Sequence, residues 1–162
     1  MCKHMRRNSY RIRQRKFLLF VIFLFVLSTS IVLMPIGTAN KEKSIILLII
    51  AGTLFWIGFI GTLWTTININ LSRKASPVFN ELYPDLRKFG LIHFFQNKPA
   101  IIADIAMFTS IIIIIVVKLL GKSNTWLFVA IALIVFTFGM HCMLNGINYI
   151  YVNYRSRREK VS

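Results

Sequence analysis

Carboxylates are scarce in this 162-residue chain, which carries five Asp and Glu against twenty Lys and Arg for a formal net charge of +15. Only one of the five, Asp104, falls inside a long apolar run. That excludes the paired acids on which intramembrane aspartyl proteolysis depends. Histidine is sparser still, with His4, His93 and His141 far apart and no pair at metal-ligand spacing. His141 and Cys142 are neighbours, but on a helix their side chains diverge by about 100°, so they cannot act together as base and nucleophile. The eight glycines are scattered singly and form no phosphate-binding loop. Cys2 and Cys142, the only cysteines, make no disulfide framework and read as free thiols. No motif here implies a metal or a cofactor, and the chain reads as non-catalytic.

Charge in general is also thin: 15% of residues are charged, against roughly a quarter in soluble proteins. Hydrophobic residues make up 56%. Four uncharged or nearly uncharged runs account for them, at residues 17–36, 45–69, 100–120 and 126–150. Each supplies the roughly 20 residues that a helix needs to cross about 30 Å of hydrocarbon. Each is apolar all round, as lipid contact requires, and no alternating pattern suggests a barrel. The expected fold is an all-α integral membrane protein of four transmembrane helices. They form two helical hairpins joined by residues 70–99, with outer loops at 37–44 and 121–125. Little chain remains for a folded domain outside the membrane.

Basic residues are distributed unequally among these segments. Seven precede the first run, five lie between the second and third, and four follow the last, sixteen in all, whereas the two outer connections with Lys118 hold four. The positive-inside rule therefore places both termini (residues 1–16 and 151–162) and the middle loop in the cytoplasm, in a multi-pass protein of an inner or plasma membrane. The same clusters are suited to anionic lipid headgroups rather than nucleic acid. The first run is longer than the roughly 7–15 apolar residues of a secretory leader, so it is expected to stay as a span. The matched pairs Ile67-Asn68 and Ile147-Asn148, each followed by basic residues, hint at a parallel repeat of the hairpin.

The middle loop offers a helix start at Ser76-Pro77 and a second segment from Asp85 to about Gln96. Phe79, Leu86 and Phe89 fall on one helical face, with Arg87 and Lys88 off it. This predicts an amphipathic segment lying at the membrane interface, with those five residues as candidates for docking a partner. Within the spans, polar groups are the default functional candidates because they are costly there. His141, Asn145 and Asn148 recur at i, i+4 and i+7, one stripe of a helix. Asp104, near the start of the third run, is expected to face the bundle interior and hydrogen-bond to Asn145, Asn148 or Asn68.

Two functions fit these features. The first is an accessory, interaction or immunity-type subunit that binds another membrane protein. The second is a small transporter or channel, working as a homo-oligomer, that uses Asp104 and the stripe. If the middle loop docks a partner, reversing the charges of Arg87 and Lys88 releases that partner without unfolding the helices. Undiminished co-purification after the reversal would count against docking.

Overall fold

The computed structural model describes residues 2–39, 44–84, 94–95, 97–121 and 124–154. Among them all regular structure is helical: α1 (Cys2–Ala39), α2 (Ser44–Lys74), α3 (Pro77–Leu82), a 3-10 turn at Lys98–Ala100, α4 (Ile101–Leu119), α5 (Asn124–Asn145) and α6 (Ile147–Asn153). Four stretches, Asn8–Gly37, Ile45–Lys74, Lys98–Leu119 and Thr125–Asn145, are long and apolar enough to cross a membrane. Their outer surfaces are apolar as well. Ile45, Ile102 and Leu119 are 71%, 80% and 80% exposed, a surface that hydrocarbon solvates and water does not.

Hydroxyl groups within these helices turn back on their own backbone. Ser28 donates to the Leu24 carbonyl at 3.0 Å, Thr62 to Gly58 at 2.7 Å, Ser110 to Ala106 at 2.7 Å and Thr137 to Leu133 at 2.7 Å. Each is satisfied four residues upstream and asks nothing of a neighbouring helix.

α1 is the central element. It packs along α2 on one flank and against α5 on the other, and α4 packs on α5, so the helices stand in the order α2, α1, α5, α4. At 38 residues α1 is about 57 Å long, well beyond a hydrocarbon core. The basic segment before residue 17 continues the helix because it is rich in Arg, Lys and Gln and holds no glycine or proline. α1 and α2 meet backbone to backbone at Gly58, where an added Cβ would sit 2.5 Å from the Leu27 nitrogen and 2.7 Å from its Cα. Only glycine permits that backbone-to-backbone contact.

The fourth apolar run departs from the continuous helix expected over residues 126–150. α5 ends at Asn145, Gly146 is extended (φ −80°, ψ 153°), and α6 starts again at Ile147. A Cβ at Gly146 would stand 2.8 Å from the Cys142 carbonyl oxygen. The break turns α6 back onto α1 and α3, and it places Tyr151, Val152 and Tyr154 in a core with Phe20, Leu24, Ile69, Phe79 and Met143.

In the middle loop Pro77 opens α3, but the Ser76 side chain forms no capping bond. Phe79 is fully buried, packed edge-on against Tyr151 at 5.3 Å and Tyr154 at 5.7 Å. It is a core residue, which corrects its place among the docking candidates of an interfacial segment. Leu86, Arg87, Lys88 and Phe89, together with His93, lie outside the described residues.

Gly58→Ala is expected to destabilise the protein by about 1–3 kcal/mol through overpacking against Leu27. Gly52→Ala, where an added Cβ meets nothing within 4 Å, should leave stability unchanged or raise it by up to about 1 kcal/mol. Denaturant unfolding in mixed micelles measures both. Equal effects at the two positions would contradict the close contact.

Candidate functional site

Asp104 lies in the first turn of α4, and its side chain is wholly buried. Its nearest partner is His141 of α5, equally buried, whose Nδ1 contacts Asp104 Oδ1 directly. The other carboxylate oxygen accepts the backbone N–H of Phe95 at 2.7 Å. Asn145, one turn further along α5, brings its amide to within 2.8 Å of the same His141 nitrogen. One ring nitrogen cannot donate to Asp104 and also accept from Asn145. The consistent assignment has Nδ1–H donating to Asp104, with the Asn145 amide rotated so that its oxygen shares that proton. Asp104 then receives two N–H donors, one on each oxygen, which is how a buried carboxylate is held without water.

Aromatic rings close the site. Phe94 stacks on the His141 imidazole at 4.3 Å between centroids and 18° between planes, and Phe138 lies nearly parallel to it at 6.2 Å. Phe95 stacks on Phe108 of α4 at 5.6 Å. Its backbone has φ 60°, a left-handed conformation unusual for a bulky residue and costing on the order of 1–3 kcal/mol. The bond from its N–H to Asp104 and the stacking of its ring hold that geometry. Asn97 fastens the same segment to α5 by donating to the Leu144 carbonyl at 2.5 Å, one of the carbonyls freed where α5 ends. The short stretch before α4 thus meets the Asp104–His141 pair through the Phe94 ring and the Phe95 N–H, and Asn97 ties it to α5.

Of the five polar candidates, the structure brings together Asp104, His141 and Asn145. Asn148 lies elsewhere because the break at Gly146 takes it off the stripe, and its Oδ1 accepts from Arg73 Nε at 3.0 Å. Asn68 is on α2, separated from α4 in the row by α1 and α5, and its amide donates to the Trp64 carbonyl at 3.0 Å. Both are corrections to the expected cluster. Among the described residues no group of three His, Cys, Asp or Glu is placed to hold a metal, and the pair offers only two such donors.

A second polar site was not visible as such in the sequence. Arg13 is 9% exposed, with its guanidinium donating to the Tyr154 carbonyl and lying over the rings of Tyr151 at 5.1 Å and Tyr154 at 5.2 Å. Nearby, Lys16 donates to Ser72 Oγ of α2 at 2.7 Å. In the sequence Arg13 is one basic residue among seven. The tyrosines at positions 151 and 154, three apart on a terminal stretch, were the available signal.

Replacing Asp104 with Leu leaves His141 and the Phe95 N–H buried without their acceptor, a loss expected to cost about 3–5 kcal/mol. Asp104→Asn keeps an acceptor oxygen and should cost about 1–2 kcal/mol. Unfolding in bicelles distinguishes them, and a Leu variant no weaker than the Asn variant would contradict the hydrogen-bonded clamp.

No family model, curated protein or solved structure matches the chain.

Proposed function

We propose that the chain is a non-catalytic, four-pass protein of an inner or plasma membrane, with both termini cytoplasmic, acting as an accessory, interaction or immunity-type subunit that binds another membrane protein. The sixteen-to-four distribution of basic residues supports this orientation. So does the joining of the α1 start, the α2 end and α6 at one basic end of the molecule, through Arg13 with Tyr154 and Lys16 with Ser72.

The observation that carries the reading is the self-sufficiency of the intramembrane polar groups. Asp104, His141 and Asn145 satisfy one another under a cover of Phe94 and Phe95, and the span hydroxyls bond their own carbonyls. A conduction route needs polar groups that face a passage. Four helices in a row, rather than in a ring, leave two broad apolar faces for lipid and for other membrane helices. Trp56, Ile60 and Trp64 on α2, 60%, 59% and 56% exposed, form one such stripe.

A second reading, a small oligomeric transporter, is favoured by one observation: a carboxylate and an imidazole in direct contact inside a span can exchange a proton. Purification of the tagged protein in native lipid, with identification of what accompanies it, separates the two. The interaction reading expects a stoichiometric second membrane protein. A pure homo-oligomer whose flux in proteoliposomes is abolished by Asp104→Asn would instead establish transport.

A further inference from the structure

At the basic end, α1 and α6 border an open groove of about 500 Å³. Arg11, Gln14 and Arg15 line it from α1, and Tyr149 and Asn153 from α6. Its floor is apolar, made of Phe17, which packs against the Tyr149 ring at 5.8 Å, with Leu18 and Val152. Arg11 and Arg15 are both exposed and stand one helical turn apart, so their charges repel. Among the described residues no carboxylate pairs with Arg11 or Arg15. Arg13, between them in sequence, points to the opposite side and is held by Tyr151 and Tyr154.

The two arginines continue downward as an apolar track. Residues 11, 15, 18, 22 and 25 follow the i, i+4, i+7 spacing of a single helical stripe, and Leu18, Ile22 and Phe25 on it are 59%, 46% and 62% exposed. Arg15 lies about 3 Å and Arg11 about 9 Å above Phe17, where the apolar run begins. A headgroup layer on the order of 5–7 Å thick contains the level of Arg15 and ends just below that of Arg11, whose long side chain can reach down into it.

We infer that this groove is a binding site for an anionic glycerophospholipid, its phosphate held between the Arg11 and Arg15 guanidiniums and an acyl chain laid along Leu18, Ile22 and Phe25. Guanidinium forks match phosphate oxygens in geometry and charge, and they resolve the repulsion between the arginines. Gln14 and Asn153 line the same groove; each amide makes one internal bond, to Tyr10 Oη at 2.6 Å and to the Tyr149 carbonyl at 3.2 Å, and keeps a second N–H for the glycerol oxygens. The inference deepens the membrane reading. It needs the spans to be inserted, but not a particular protein partner.

The test is native mass spectrometry of the full chain released from nanodiscs containing equal phosphatidylglycerol and phosphatidylcholine, with alkaline extraction of membranes reporting insertion independently. Wild type is expected to retain phosphatidylglycerol selectively. Arg11→Gln with Arg15→Gln should lower retention about 25-fold, at roughly 5-fold for each arginine. Asn153→Trp, which narrows the groove without changing charge, should also release the lipid. Lys74→Gln with Lys98→Gln removes the same charge from exposed positions elsewhere and should leave retention unchanged.

Equal loss in the lysine control would overturn the site in favour of diffuse electrostatic attraction. So would equal retention of phosphatidylcholine. Full displacement by soluble glycerol phosphate would assign the arginines to a free phosphate compound rather than to a lipid. An inserted wild-type protein that keeps no lipid would refute the site while leaving the membrane reading intact.

Discussion

A carboxylate cannot remain charged in an apolar interior without donors, and the arrangement around Asp104 follows from that requirement. His141 supplies one donor, fixing α4 against α5 at one register. The Phe95 amide supplies the other and draws the segment before α4 over the pair, even at the expense of a left-handed backbone. Once that segment is in place, Phe94 can stack on His141 and Asn97 can reach the exposed end of α5. In lipid the hydrophobic effect does little to select one helix pairing over another, so specific polar contacts of this kind decide which surfaces meet.

A cation plays the corresponding part where α1 and α6 meet. Arg13 lies among Tyr151 and Tyr154, and those tyrosines lie against Phe79, so one guanidinium gathers α1, α3 and α6. Cation–π attraction of about 0.5–2 kcal/mol per ring accompanies its bond to the Tyr154 carbonyl. The glycine contact at Gly58 then brings α1 and α2 to backbone distance. Polar locks at α4 with α5 and at α1 with α6, with close glycine packing between α1 and α2, join the small core around Phe20 and Phe79 in holding the row of helices together.

The sequence was most informative where one physical rule dominates. Length and hydropathy specify four helices able to cross a membrane, because the bilayer leaves the backbone few alternatives. It was less informative about which polar groups meet. A fourth run continuous to residue 150 would put His141 about 12 Å from Tyr149 and so deeper than Asp104. With α5 ending at Asn145, His141 is one turn, about 6 Å, from the helix end and level with Asp104. The same break removed Asn148 from the stripe. Gly146 was visible in the sequence, but a glycine within an apolar run is compatible with either an intact or a broken helix. Phe79 was misassigned because its spacing marks a helical face without saying whether that face meets lipid or a tyrosine cluster.

The most direct test of the central claim is a double-mutant cycle on Asp104 and His141, each replaced by Leu singly and together, with unfolding free energy measured in bicelles. If the buried pair fixes the register of α4 on α5, the two losses are strongly non-additive, with a coupling of at least about 2 kcal/mol. Losses that add to within about 0.5 kcal/mol would show that the two side chains act independently, and would contradict the account.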